Sequence, residues 1–364
     1  MNWSPEQDAA LVAVDRWLKA PSQQVFRLFG YAGAGKTTLA RHLAENAGGE
    51  VAFAAFTGKA AHVMRQKGCA GASTIHALIY RPAHDEETAE GDLVFTLRHD
   101  APASTADLII IDECSMVDED LGRDLLSFGK PVLVLGDPAQ LPPVKGGGYF
   151  TEAEPDFMLT EIHRQAADNP IIRLSMDIRE GRELDNSGSE RLRLLSRRDI
   201  TSEDILAADQ VLVGTNRTRR RYNDRIRELK GHSGDAPEAG EKLVCLRNNK
   251  QKGLLNGGIW QVVLKKAPKA GRARMLVAPE DGGKNVNISV PKEFFTVGPE
   301  AVPFPLRRGA DEFDYGYALT VHKAQGSQWD DVVLFDESFA FREHRARWLY
   351  TGVTRAAERL TLVR

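Results

Sequence analysis

The sequence lacks any apolar run near the roughly 20 residues that cross a bilayer. Its amino terminus, Met1-Asn2-Trp3-Ser4-Pro5-Glu6, lacks the basic-then-apolar pattern of a secretion signal. Cysteine is scarce. Cys69, Cys114 and Cys245 are single and far apart, which excludes a disulfide framework and paired cysteine metal ligands. An excess of positive charge is also missing, since 48 Lys and Arg face 51 Asp and Glu for a net charge of -3. A nucleic-acid partner would therefore have to meet a local basic track rather than a whole-protein field. No internal repeat and no low-complexity tail are present. These absences point to a globular protein of the cytoplasm with no membrane partner.

What is present is a 364-residue chain with 42% hydrophobic and 27% charged residues. That length exceeds what one core normally supports, so two or three domains are expected. Short apolar runs rich in β-branched and aromatic residues recur at 25–29, 51–56, 108–111, 132–135, 211–213, 317–321, 332–335 and 360–363. Stretches of helical spacing lie between many of them, at 5–18, 37–44 and 170–179. Strands buried on both faces and joined by helices predict parallel α/β sheets, here in two groups. Residues 81–105 break the pattern with one alternating piece, Asp92-Leu93-Val94-Phe95-Thr96-Leu97-Arg98, which reads as a small β-hairpin insertion. Residues 240–306 change period altogether and predict a small antiparallel barrel inserted in the second sheet.

The chemistry begins at Gly30-Tyr31-Ala32-Gly33-Ala34-Gly35-Lys36-Thr37, a P-loop pattern between a predicted strand and a predicted helix. Gly30, Gly33 and Gly35 let backbone N–H groups turn inward around phosphates. Lys36 can reach the β- and γ-phosphates, and Thr37 can ligate Mg²⁺. Ala34 and Thr38 complete the predicted nucleotide-binding stretch. Leu108-Ile109-Ile110-Ile111-Asp112-Glu113 would deliver Asp112 to the metal and Glu113 to the attacking water. A carboxylate pair at a strand end is usually a solvated turn; a P-loop upstream turns the balance toward hydrolysis. A third strand runs into Gly136-Asp137-Pro138-Ala139-Gln140-Leu141-Pro142-Pro143-Val144. There Gln140 either reaches a γ-phosphate or water, or is an exposed loop residue.

Three such strand-end motifs in this order resemble superfamily 1 DNA helicases, in wording nearest the RecD-like and Dda-like branch. Thr57-Gly58-Lys59-Ala60-Ala61 and Ser73-Thr74-Ile75-His76 are similar to first-lobe DNA-contact motifs. Thr160-Glu161-Ile162-His163-Arg164-Gln165, residues 317–329 and residues 348–358 are similar to later motifs, so the resemblance covers nearly the whole chain. It implies a fold of two RecA-like lobes. The first spans 1–159 with the hairpin, or pin, at about 81–105; the second spans 160–239 and 307–364; an SH3-like barrel occupies 240–306. It implies that Gln7 recognises adenine, that Arg164 and Arg355 are arginine fingers from the second lobe, and that Gln325 senses nucleotide. It implies strand contacts by Thr57, Lys59, Thr74 and His76 on the first lobe, and by Thr215, Asn216, Thr320 and His322 on the second. Two positions depart from the pattern: Ala34 where Ser or Thr is common, and Phe56 where Pro is common before Thr57. Neither removes a phosphate or metal ligand.

The activity implied is ATP- and Mg²⁺-dependent translocation on single-stranded DNA, 5′ to 3′, by a monomer that opens forked duplex DNA. Its cell would be bacterial or phage-infected, and its protein partners would be those of replication or recombination. The main alternative is a DNA-stimulated ATPase that serves as a switch or loader and does not unwind. A nuclease would need a metal constellation apart from the P-loop, and a metabolite kinase leaves the second half of the chain without a purpose. The densest basic run is Arg217-Thr218-Arg219-Arg220-Arg221-Tyr222-Asn223-Asp224-Arg225-Ile226-Arg227. On a helix it places Arg217, Arg221 and Arg225 on one face, as a DNA track or a solvated surface. Trp260 and Trp329 are candidates for base stacking or for the core.

Overall fold

The structure is a computed structural model, and it describes residues 3–87, 93–98, 100–143, 148–161, 168–184, 189–249 and 251–364. Main chain alone is described at 81–87 and 93–96. The chain divides into two compact units, Met1–Leu184 and Asp185–Arg364.

The first unit is built on a six-stranded parallel sheet. Its spatial order is Ser73–Thr74, Val51–Ala55, Leu108–Asp112, Val132–Gly136, Val25–Gly30 and Phe157–Leu159. The inner strands Leu108–Asp112 and Val132–Gly136 are buried at every residue. Successive side chains of a strand point to opposite faces. Accordingly Leu108, Ile110, Leu133 and Leu135 enter one core, and Ile109, Ile111, Val132 and Val134 enter the other. Helices Pro5–Lys19 and Lys36–Asn46 supply residues to the first of these cores. An antiparallel pair, Tyr80–Glu87 with Leu93–Leu97, leaves this unit where the hairpin is expected. At its base the Tyr80 hydroxyl donates to Asp124 Oδ2 at 2.5 Å.

The boundary falls after Leu184, later than the expected 159/160. Helix Pro170–Glu180 accounts for part of this, because the Arg179 guanidinium lies 3.6 Å from the ring centre of Tyr31 in the P-loop. Such a cation–aromatic contact ties a helix to a loop 148 positions earlier, which apolar periodicity does not register.

The second unit contains a five-stranded parallel sheet in the order Ala318–Thr320, Gln210–Val213, Trp329–Phe335, Ala356–Val363 and Leu192–Leu195. A five-stranded antiparallel sheet runs Val286–Pro291, Arg272–Pro279, Ile259–Lys269, Lys242–Cys245 and Phe313–Tyr315. Its last strand comes from beyond residue 306. The Asp311 N–H also donates to Ser289 O at 3.0 Å, and the Ser289 N–H to Asp311 Oδ2 at 2.8 Å. Both sheets share one core, in which Val211, Val333 and Phe335 meet Leu243, Val277 and Phe313.

Helix Asn216–Leu229 fastens the two sheets together through polar groups. Asn223 donates to the carbonyls of Tyr315 and Ala318, each at 3.2 Å, and accepts from the Ala318 N–H at 2.8 Å. Arg219 pairs with Asp314 at 2.8 Å, and Arg227 with Glu241 at 2.7 Å; all four side chains are buried. Burial pushes the Asp314 carboxyl up to about 6 against the pull of Arg219. Arg219 and Arg227 of the basic run are thus structural, while Arg217, Arg221 and Arg225 are exposed. Trp260 and Trp329 are both core residues, at 5% and 9% exposure, which removes them as stacking candidates. Among the described residues no helix is long and apolar enough to cross a membrane.

Breaking one buried ion pair leaves an uncompensated charge, whereas removing both partners does not. Asp314→Asn should therefore lower stability by about 3 kcal/mol, and Arg219→Met with Asp314→Leu should lower it by clearly less. Urea unfolding of the two variants checks this; equal losses would mean that packing, not charge, dominates at this helix.

Candidate functional site

Strand Val25–Gly30 ends directly in the P-loop, and Gly33 and Gly35 hold φ of 83° and 80°, a region other residues rarely adopt. Helix Lys36–Asn46 starts at Gly35 with no side-chain cap. The N–H groups of its first turn, those of Lys36, Thr37 and Thr38, have no acceptor within the helix by geometry. They form an anion-binding end of positive dipole. The Lys36 ammonium donates to the carbonyls of Gly30 at 2.7 Å and Tyr31 at 3.1 Å, so it arches over the loop.

The second half of the site meets the first here. The Thr37 hydroxyl donates to Asp112 Oδ2 at 2.8 Å, across 75 positions of sequence. Asp112 Oδ1 accepts from the Glu113 N–H at 2.8 Å, and Glu113 sits in the left-handed region at φ 53°. A non-glycine residue there stores strain, which the Asp112 bond helps to hold. A hydroxyl beside a carboxylate is a donor set suited to a hard dication.

Gln7 has two jobs in the structure. It closes the capping box of helix Pro5–Lys19 with Ser4, and its Nε2 donates to the carbonyl of Ala34 at 3.2 Å. The segment Thr160-Glu161, which opens the motif containing Arg164, is joined to the same helix, because Glu6 accepts from the Thr160 and Glu161 N–H groups. Gln140 is buried, at 6% exposure, in a turn made by the Asp137 carboxylate accepting from the Ala139 N–H at 3.0 Å. Its Oε1 accepts no hydrogen bond among the described residues. It is not an exposed loop residue. Arg164 lies outside the described residues.

Gln325 and Arg355 belong to the second unit and are buried there, at 2% and 6% exposure. Arg355 donates to Thr351 O at 3.0 Å, Ser327 O at 3.2 Å and Thr354 Oγ1 at 3.2 Å, so its fork is held by its own unit.

The four predicted contact threonines share a local role. Thr57, Thr74 and Thr215 are N-caps, each accepting the N–H three residues on, and Thr320 accepts from the Lys323 N–H at 3.3 Å. Lys59 lies in the first turn of helix Gly58–Gln66 and is partly exposed; Asn216 is exposed. The histidines are packed rings. His76 lies between Phe56 and Tyr80, and His322 lies 5.3 Å from Phe341. Burial lowers both pKa values, so each is a neutral donor or acceptor near neutral pH rather than a cation. A cleft of about 440 Å³ gathers Asn216, Thr320, His322 and also Lys323. The Lys323 ammonium donates to Asn256 at 2.9 Å, and burial depresses its pKa. Its place beside His322 was the one signal for it in the sequence.

Parallel sheets with a P-loop and a strand-end Asp-Glu define a P-loop nucleotide-binding protein. The AAA domain family matches residues 3–202, more than half of the chain, and the UvrD-like helicase C-terminal domain matches residues 315–363. The ATP-dependent RecD2 DNA helicase of Deinococcus radiodurans is 30% identical over 91% of this chain and 46% of its own length. The conjugal transfer protein TraA of Rhizobium radiobacter is 26% identical over 99% of this chain and 32% of its own. The chain thus spans less than half the length of these relatives. Among solved structures, Pif1 helicases described in work on DNA unwinding at forked duplex DNA align with TM-score 0.62 and 19% identity, over 100% of this chain and 92% of that one. The Bacteroides Pif1 helicase in complex with ADP-AlF3 and single-stranded DNA aligns with TM-score 0.61 and 18% identity, with the same coverage. The chain belongs to the AAA domain family, and its carboxyl-terminal part matches the UvrD-like helicase C-terminal domain.

The two jobs of Gln7 can be separated. Glu at this position keeps an acceptor for the Ser4 N–H but sets a carboxylate against the Ala34 carbonyl. Gln7→Glu should leave helix content unchanged by circular dichroism and weaken nucleotide binding about tenfold, the range of one lost buried hydrogen bond. Unchanged affinity would leave Gln7 as a capping residue alone.

Proposed function

We propose that this chain is an ATP-driven DNA helicase that moves 5′ to 3′ on single-stranded DNA. The observation that carries the reading is the 2.8 Å contact between the Thr37 hydroxyl and the Asp112 carboxylate at the mouth of the P-loop. It brings the two halves of a hydrolytic site together. Similarity to a RecD2 DNA helicase and to a Pif1 helicase in complex with single-stranded DNA supports DNA as the track.

In this reading the first-turn N–H groups of helix Lys36–Asn46 and the Lys36 ammonium hold the phosphates. Thr37 and Asp112 hold Mg²⁺, which screens the phosphate charge. Glu113 orients or deprotonates the attacking water, and Gln140 offers its buried amide to the water or the γ-phosphate. Gln7 reads adenine through the same loop it braces. Arg164 and Arg355 stabilise charge that grows in the transition state, and Gln325 senses the nucleotide. For Arg355 this means exchanging its present partners, Thr351 O, Ser327 O and Thr354 Oγ1, for phosphate oxygens.

The strand would lie across Thr57, Lys59, Thr74 and His76, then Thr215, Asn216, Thr320 and His322, with Lys323 added from the cleft. These groups contact phosphate and sugar and so read no sequence. The antiparallel pair Tyr80–Glu87 and Leu93–Leu97 would be the pin that parts base pairs, and the sheet from Lys242 to Tyr315 an SH3-like module. The stitching of Asp311 to Ser289 supports a barrel-like closure. A monomer acting with replication or recombination proteins in the cytoplasm of a bacterial or phage-infected cell fits this reading.

The test is strand release from duplexes with only a 5′ or only a 3′ single-stranded tail, at matched ATP and salt. Release from the 5′-tailed substrate is expected, with little from the other. Glu113→Gln should retain ATP binding and lose on the order of 10²-fold or more in DNA-stimulated turnover. Preference for the 3′ tail would reverse the polarity. Stimulated ATPase with no strand release from either would favour a switch or loader.

A further inference from the structure

Beyond strand Trp329–Phe335 the chain turns back with an acidic residue that no motif marks. Glu337 is buried, at 7% exposure. Its carboxylate accepts from the Gly214 N–H at 2.6 Å, the Thr215 N–H at 3.3 Å and the Thr218 hydroxyl at 2.8 Å. Gly214 permits this approach, because a Cβ there would stand 2.7 Å from the Glu337 Cβ. A negative group therefore already occupies the amino end of the 14-residue helix Asn216–Leu229, where the dipole favours one.

The hydroxyl hydrogens can be assigned by elimination. A carboxylate only accepts, and a hydroxyl has a single hydrogen to give. The Thr218 hydrogen goes to Glu337. The 2.9 Å contact between the Thr215 and Thr218 hydroxyls must then run from Thr215 to Thr218. Thr215 Oγ1 accepts from the Thr218 N–H at 3.1 Å in the same arrangement. The one hydrogen that Thr215 could offer to a phosphate is engaged inside the protein.

We infer that Glu337 is a positioning residue that keeps the second unit's grip on a nucleic-acid strand weak. It draws the Thr215 proton inward through Thr218 and sets a negative charge on the Gly214 and Thr215 N–H groups that precede Asn216. The inference rests on the reading of Thr215 and Asn216 as strand contacts. The same stretch reaches the other contact segment, since Phe341 of Ser338–His344 lies against the His322 ring. A strand engaging this face meets the exposed Asn216 amide and the Asn216 and Arg217 N–H groups at the start of the helix, and a grip made only of these releases readily. Exchange of the Thr215 proton from Thr218 to a phosphate would convert it to a tight one.

The experiment is fluorescence anisotropy of a labelled oligo-dT at matched salt, with the full chain. Glu337→Gln removes the charge and lets an amide donate to Thr218, which frees the Thr215 hydrogen. Binding about tenfold tighter or more is expected, the scale of one hydrogen bond to a charged group. Thr218→Ala breaks the relay and leaves the Glu337 caps on Gly214 and Thr215, so it should tighten binding to a smaller extent. Adding Thr215→Val to Glu337→Gln should remove most of the gain, a coupling that a merely structural carboxylate would not produce. Where circular dichroism shows Glu337→Gln to be misfolded, Thr218→Ala decides alone. Unchanged or weaker binding in the folded variants, with a wild type that binds, overturns the inference and leaves the strand reading standing. A wild type that does not bind the oligonucleotide overturns both.

Discussion

The strands Leu108–Asp112, Val132–Gly136 and Gln210–Val213 are buried at every residue, so polar side chains that must reach solvent or a ligand lie at strand ends. That constraint arranges everything else. The P-loop follows Val25–Gly30, Asp112 closes Leu108–Asp112, and Asp137 follows Val132–Gly136. Thr57 follows Val51–Ala55, Thr215 follows Gln210–Val213, and Thr320 ends Ala318–Thr320. Glu337 comes two residues after Trp329–Phe335. Parallel strands put all their carboxyl ends on one edge of a sheet, so groups far apart in sequence converge there without any further instruction. The 2.8 Å approach of Thr37 to Asp112 is a consequence of two adjacent topological choices rather than of local sequence.

This explains what could be read in advance. Apolar runs of β-branched residues announce strands, and the residue type that ends each run announces its chemistry, so the P-loop, Asp112 and Glu113 were legible from the sequence. Caps were legible only in part. Thr57, Thr74 and Thr215 were singled out by resemblance, yet their local reason for being threonine is to accept the third N–H of a helix. A hydroxyl that caps a helix stands at the sheet edge anyway, which is why one residue can serve both ends.

Long-range polar pairing was not legible. The basic run from Arg217 to Arg227 divides into exposed and buried residues because Asp314 and Glu241 lie opposite two of them, and nothing in the run marks Arg219 or Arg227 as different. The last strand of the antiparallel sheet, Phe313–Tyr315, and the attachment of helix Pro170–Glu180 escaped for the same reason. Periodicity reports how a segment buries its own apolar face; it is silent about a carboxylate a hundred residues away.

The character of the proposed track follows from this division of charge. Arg219 and Arg227 are tied to carboxylates, which leaves Arg217, Arg221 and Arg225 as the exposed arginines of the basic run, and burial lowers the pKa of His76 and His322. Among the proposed contact groups most are hydroxyl, amide and backbone N–H, with Lys59 and Lys323 as cations and exposed Arg217 next to Asn216. A cation attracts phosphate over a Debye length and releases it slowly, whereas a neutral donor acts only at contact and is lost with a small displacement. A strand that must be gripped and let go once per nucleotide cycle is better served by the second kind. A net charge of -3 is then no obstacle to a nucleic-acid track, because affinity there depends on donor placement that the nucleotide state can change, more than on the field of the whole protein.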